Sequence, residues 1–137
     1  MTVRLRPHHV LCSLGFEGKG YDSAFIANMA NIVFGQLMAP GGEKAQVHIT
    51  LEADSFCAPC PHRIGLGCAS QHDIARLDAA HSQALDLRAG DTLSWGECVE
   101  RVRARITPDD LDDICVGCQW LPLGMCKTAV VELLAQT

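Results

Sequence analysis

Two sets of three cysteines share one spacing and carry the strongest chemical signal in the sequence. The first set is Cys57, Cys60 and Cys68, and the second is Cys115, Cys118 and Cys126. Both read C-x2-C-x7-C, and the offset of 58 residues from position 57 to position 115 holds for all three pairs. A C-x2-C turn can direct two thiolates at one metal, and a third thiolate at the start of a helix sits in a field that favours its anion. The repeat therefore predicts metal binding.

The spacing also bears on the kind of metal. Structural zinc sites commonly use two C-x2–4-C pairs per ion, whereas each unit here has one pair and a single cysteine. Two pairs sharing one zinc would leave Cys68 and Cys126 over. Three neighbouring thiolates with a fourth from elsewhere are the plan of many four-iron clusters, although the x7 spacing differs from that of bacterial ferredoxins. The pattern favours one or two 4Fe-4S clusters, with zinc as the alternative.

Two further cysteines, Cys12 and Cys98, lie outside the repeat. On a helix, His8 and His9 share a face with Cys12, because they precede it by four and three residues. We therefore predict Cys12 as a fourth ligand, with His8 and His9 as additional candidates. The alternative is a buried apolar role, which is common for free cysteine. Cys98 lies on the apolar stripe of a predicted helix, which indicates core packing.

These residues carry a resemblance to a known family. The segments are Arg6-Pro-His-His-Val-Leu-Cys12, Gly15-Phe-Glu-Gly-Lys-Gly-Tyr21 and Cys118-Gln-Trp-Leu-Pro-Leu-Gly-Met-Cys126. Together with the two cysteine units, they resemble domain-of-unknown-function family 1284, a family of short bacterial and archaeal proteins. The resemblance implies iron–sulfur binding through Cys12 and the six repeat cysteines, without Cys98. Seven cysteines do not complete two four-cysteine sites, so one site would use histidine or leave an iron open.

Helical patterns must position the cysteines. The stretch 8–16 predicts a short helix that carries Cys12. The segment from Ser23 to Gly42 has no Asp, Glu, Lys or Arg and is long enough to span a membrane. Its larger apolar residues fall on one helical stripe and its amides on another, so it is predicted as an amphipathic core helix instead.

Later helices are predicted from their capping residues. A helical pattern begins at Ser70, and the capping box from Ser94 to Glu97 begins another. Thr128 is predicted to cap the last helix, which would place the third cysteine of each unit two residues before a cap. His81 is predicted as a solvated residue of its helix.

One stretch alternates with the period of a half-buried strand, Gln46 to Glu52. It needs a partner, for which Thr2 to Arg6 is the candidate, so the sheet must be small. The predicted fold class is α+β: a mostly helical single domain over residues 1–137, with a small β element and two metal-binding cysteine loops. The loops belong to repeat units near 54–85 and 112–137.

Composition excludes several classes of function. The chain has 137 residues, with Lys+Arg 11 against Asp+Glu 16, a net charge of −5, and only 5% aromatic residues. An acidic chain with few aromatics predicts no nucleic-acid partner, and no membrane partner is predicted either. The first nine residues have no apolar signal core, so a cytoplasmic location is predicted.

The sequence thus predicts an iron–sulfur protein that serves electron transfer or cluster carriage, with a redox partner protein or a small molecule. Two alternatives stay open. One is an enzyme whose cluster has an open iron that acts as a Lewis acid on a small molecule, and the other is a structural zinc protein. No spacing in the sequence indicates catalytic residues.

Overall fold

The computed structural model describes residues 2–16, 23–52, 54–56, 63–64, 67–68, 71–115 and 124–135, with the backbone alone at 63–64, 67–68 and 71–73. The helices in these ranges are α1 (His9–Gly15), α2 (Ser23–Ile32), α3 (Gln71–Leu85), α4 (Trp95–Arg105), α5 (Leu111–Ile114) and α6 (Met125–Ala135). The strands are β1 (Thr2–Leu5), β2 (Gln46–Ile49), β3 (Arg63–Ile64), β4 (Gly67–Cys68) and β5 (Thr92–Ser94). A π-helical turn (Val33–Leu37) continues α2, and 3-10 turns cover Gly42–Lys44 and Pro108–Asp110. The chain is a mostly helical α+β protein, as predicted.

The larger sheet joins a strand from the start of the chain with two strands from later in the sequence. β1 runs parallel to β2, with Val3 opposite Val47, and β5 adds to the other edge of β2 in the antiparallel sense. Alternate side chains of β1 and β2 are buried, as a one-sided sheet requires. The predicted pairing is therefore confirmed. β5 was not predicted, because three residues are too few to show alternation. β3 and β4 form a separate antiparallel pair within the first cysteine unit.

The stripe predicted for the uncharged segment is the buried face of α2 and its π-helical turn. Its members are Phe25, Met29, Ile32, Val33 and Leu37, none more than 8% exposed. They belong to one hydrophobic core with β1, β2 and α4. In the described parts of the chain, no helix combines the length and apolarity needed to cross a membrane.

The predicted helix starts are partly confirmed. Ser94 Oγ accepts a hydrogen bond from the Glu97 amide at 3.1 Å and caps α4. The prediction for Thr128 is wrong, because α6 already begins at Met125 and the Thr128 amide donates to the Gly124 carbonyl inside the helix. Gly124 has a φ of +78°, a conformation that glycine adopts readily. Cys126 consequently lies in the first turn of α6.

Candidate metal centre

One small cavity gathers cysteines and histidines that are far apart in the sequence. It is lined by His8, Leu11, Cys12, Leu77, His81, Cys115 and Cys126 and has a volume of about 10 Å³, roughly the space of one water molecule. Cys12 comes from α1, Cys115 from the end of α5, and Cys126 from the first turn of α6. Leu11 and Leu77 are buried and make part of the wall apolar. Three soft thiol donors therefore share an enclosed site.

The contact between α1 and α6 depends on a glycine. A Cβ atom at Gly15 would lie 2.7 Å from Cys126 Sγ and 2.9 Å from Cys126 Cα. Real Cβ atoms do not approach other atoms this closely, so only glycine lets the two helices meet here. Gly15 is also buried, so there is no solvent-facing space into which an added side chain could turn. The close packing brings Cys126 to the helix that carries Cys12.

Replacing Gly15 with alanine is expected to destabilise the protein by about 1–3 kcal/mol, the usual range for overpacking a core. The clash involves Cys126 backbone as well as its sulfur, so α6 itself must shift. The free energy of unfolding of the reduced protein, measured by urea denaturation, checks the expectation.

Gly35→Ala is the matched control for this variant. Gly35 is exposed in the π-helical turn, and a Cβ there meets nothing within 4 Å. Because alanine is the better helix former, this variant should be neutral or slightly stabilised. If Gly15→Ala is as stable as Gly35→Ala, the close α1–α6 contact is wrong.

His8 is held by a buried ion pair. Its Nδ1 lies 2.5 Å from Asp78 Oδ1, and Arg6 Nη1 donates to Asp78 Oδ2 at 2.9 Å. None of these three side chains is more than 6% exposed. Burial acts to raise the pKa of Asp78, but the hydrogen bonds from His8 and Arg6 and the positive charge of Arg6 outweigh it, so this pKa lies below its usual value. Asp78 is therefore a carboxylate that neutralises Arg6.

The protonation of His8 follows from the same surroundings. Burial, followed by repulsion from His9, lowers the pKa of His8 despite the attraction of Asp78. A neutral imidazole has one N–H, and the contact with the Asp78 carboxylate places it on Nδ1. Nε2 then carries the lone pair that a metal ligand requires. Metal-binding histidines commonly donate their other N–H to a carboxylate in this way.

His9 faces a different partner. Its Nδ1 lies 2.5 Å from Asp54 Oδ2, and its ring packs on Phe56 with centroids 5.3 Å apart. Asp54 also accepts hydrogen bonds from the amides of Arg6 and Phe56, at 2.7 and 2.9 Å. His9 does not line the cavity with His8 and Cys12. It instead ties α1 to the turn that leads into Cys57.

The prediction that His81 is solvated is wrong. Instead of being solvated, it is 2% exposed and lines the cavity. Its Nε2 lies 3.4 Å from Cys115 Sγ, while its Nδ1 has no hydrogen-bond partner among the residues that the structure describes. Burial and the neighbouring His8 lower the pKa of His81 to about 3, so the ring is neutral at physiological pH. The reason for the burial is the packing of α3 against α4 and α5.

The other predicted ligands differ in what the structure describes. Cys57, Cys60 and Cys118 lie outside the described residues, and Cys68 is described by its backbone in β4 alone. Cys98 is 1% exposed within the core, where desolvation raises the pKa of its thiol to about 12. A neutral thiol in apolar surroundings agrees with the packing role predicted for it.

Three of the four described thiols, those of Cys12, Cys115 and Cys126, line the cavity. Among the residues that the structure describes, no three His, Cys, Asp or Glu side chains are arranged to hold one metal ion. A zinc ion would require its donors within about 2.3 Å of the metal. The described thiols alone therefore do not form a mononuclear site.

Three side chains in or beside the cavity, those of Arg6, Asp78 and His81, were not predicted from the sequence as part of the site. Asp78 and His81 stand on α3 among buried apolar residues, and His81 falls midway between Leu77 and Leu85 at four-residue spacing. A polar residue in such a stripe is a signal that could have identified both. Arg6 carried no comparable signal, because it directly follows a short strand, where exposed arginine is common.

Comparison with known protein families gives a match. A family model described as "Protein of unknown function (DUF1284)" matches residues 20–124. This range includes five of the repeat cysteines, whereas Cys12 and Cys126 lie outside it. No curated protein and no solved structure matches the chain.

Proposed function

The chain belongs to the DUF1284 family, and we propose from its own residues that it binds an iron–sulfur cluster and serves in electron transfer or cluster carriage. The observation that supports the proposal is the shared cavity of Cys12, Cys115 and Cys126. The second repeat unit and Cys12 together offer four cysteines, which is the usual donor set of a 4Fe-4S cluster.

The surroundings of these thiols suit such a group. The apolar wall and the buried histidines exclude water, and a low-dielectric, hydrogen-bonded environment is what tunes the potential of a cluster. A cluster is larger than the cavity of about 10 Å³, so its uptake must move the walls apart. A bound cluster would supply one-electron chemistry. Cys12, Cys115 and Cys126 would bind it, and the other residues of the cavity wall would shield it from water.

Structural zinc is the alternative to a cluster at this site. A single zinc ion draws its thiolates to one point, whereas a cluster presents several irons to thiolates that stay farther apart. Cys12, Cys115 and Cys126 share a cavity but do not form a single-ion group. The preference for the cluster rests on the sequence, in which each unit has one cysteine pair and a single third cysteine. An enzyme with an open iron would differ from a carrier in lacking one protein ligand, and His8 lines the same cavity as the three cysteines.

The test is anaerobic purification followed by analysis of iron, acid-labile sulfide and zinc. We expect brown protein that contains iron and sulfide in near-equal amounts. Colourless protein with stoichiometric zinc would contradict the cluster and support a structural zinc site. Protein that takes up neither metal after anaerobic reconstitution would contradict both.

Cys12→Ala is expected to lower the iron content or to convert a four-iron cluster into a three-iron form, because an iron without its thiolate is easily lost. The expectation rests on the position of Cys12 in the cavity wall. Iron analysis and electron paramagnetic resonance of the anaerobic protein measure it.

Cys98→Ala is the matched control, since it removes a buried thiol from the core. It should keep the full iron content and lose only about 1 kcal/mol of stability, as modest core truncations do. Cluster loss in the Cys98 variant alone would reverse the assignment. If neither variant changes the cluster, His8 or a bound small molecule completes the site, and the enzyme alternative gains support.

A further inference from the structure

The buried imidazole of His81 meets one of the candidate thiolates directly. His81 is 2% exposed, and its Nε2 lies 3.4 Å from Cys115 Sγ. A sulfur atom is large, and a nitrogen–sulfur distance below 4 Å is within hydrogen-bonding range. Cys115 is itself 6% exposed, so water cannot easily replace this contact. The pair therefore acts in a dry environment, where a hydrogen bond has a strong electrostatic effect.

The position of the imidazole proton follows from its two nitrogens. Whatever its charge, an imidazole ring carries an N–H on at least one of its two nitrogens. On Nδ1 that N–H would be a buried donor without a partner in the described structure, which is costly. On Nε2 it faces Cys115 Sγ, and the Ile114 carbonyl also attracts a proton on this ring. The Nε2–H form is therefore the stable one.

His8 and His81 consequently differ in what they can offer a metal. His8 donates Nδ1–H to Asp78 and presents a lone pair on Nε2, which is the arrangement of a ligand. Within the described part of the chain, His81 has no acceptor for a proton on Nδ1, so no hydrogen bond there orients it as a ligand. The hydrogen bond to Asp78 thus leaves His8 with a free lone pair for a metal, whereas the contact with Cys115 leaves His81 with an N–H for the sulfur.

We infer that His81 regulates the redox potential of the centre by donating its Nε2–H to the Cys115 thiolate; this inference rests on the function proposed above. One-electron reduction of a bound cluster would add negative charge to its ligating thiolates. A donor at the sulfur stabilises that charge and raises the reduction potential. His81 is thus a positioning residue that holds Cys115 and favours the reduced state.

The test compares His81→Phe with His81→Gln in the anaerobically reconstituted full chain. Phenylalanine keeps bulk but removes the donor, whereas the glutamine amide can still donate. Titration with a one-electron donor such as dithionite, followed by visible absorbance, gives the potentials. We expect His81→Phe to lower the equilibrium constant for reduction about tenfold, which is about 59 mV for one electron. His81→Gln should recover most of this shift, and His48→Gln, on β2, should cause none.

An unchanged potential in His81→Phe with full cluster content would overturn the inference. If His81→Phe fails to fold or to take up a cluster, nitrogen-15 resonance of the wild-type imidazoles decides instead. The reduced apo protein should show His81 in the Nε2–H form, assigned by its loss in His81→Gln, and an Nδ1–H form would contradict the inference. Because this measurement needs no metal, it separates failure of the inference from failure of the proposed function, which shows as wild-type protein without iron and sulfide.

Discussion

Replacing Asp78 with asparagine should cost about 3–5 kcal/mol of folding stability, the range found when one partner of a buried ion pair is removed. The Arg6 guanidinium is 1% exposed and Asp78 is 2% exposed, so the remaining charge would stay in the interior. Asparagine keeps the size of the side chain and a carbonyl for His8, which confines the change to the lost charge. Urea denaturation of the reduced protein measures the effect.

Asp112→Asn is the control for this variant. Asp112 pairs with Lys127 at 2.5 Å, but the two side chains are 59% and 34% exposed. Exposed pairs contribute at most about 1 kcal/mol, so this variant should stay close to the wild type. A double variant, Arg6→Met with Asp78→Leu, should recover much of the lost stability, because it removes both buried charges. An Asp78→Asn protein as stable as Asp112→Asn would show that the ion pair is not buried as described.

Cys118→Ala should lose the cluster of the second unit and melt at a much lower temperature. Metal-binding free energy becomes folding free energy when the site does not form without the metal. A loss of about 3 kcal/mol corresponds to roughly 10 °C for a chain of this size. Iron analysis and thermal unfolding of the anaerobically purified variant measure both effects.

Cys60→Ala extends the experiment to the first unit. If each unit holds its own cluster, either substitution removes part of the iron, and only the double variant removes all of it. If the two units share one cluster, each single variant should lose it entirely. Full iron content and an unchanged melting temperature in both single variants would show that the assignment of the repeat cysteines as ligands is wrong.

The elements that follow simple periodicity were predictable. The stripe of α2, the cap of α4 at Ser94 and the pairing of β1 with β2 each depend on neighbouring residues or on one alternating pattern. The core position of Cys98 was predictable for the same reason, since Val102 follows it on the same helical face. Local spacing is visible in a sequence because the geometry of a helix or strand repeats.

The cysteine repeat, by contrast, did not predict that its two units have different surroundings in the fold. Asp54 and Asp112 are equivalent in the repeat, yet Asp54 is buried and accepts from His9, whereas Asp112 is exposed and pairs with Lys127. The difference arises because α1 and β1 pack against the turn at Asp54, and contacts between distant segments leave no periodic trace.

The sequence by itself determined the donor types, their spacing and the mostly helical α+β class, because these depend on residue identity and local period. Only the tertiary structure decided that Cys12, Cys115 and Cys126 line one cavity and that His8 and His9 turn to different carboxylates. It also decided that His81 is buried against Cys115. These relations come from helices packed around one core, where burial sets which polar groups must pair and hence which atoms remain to bind a metal.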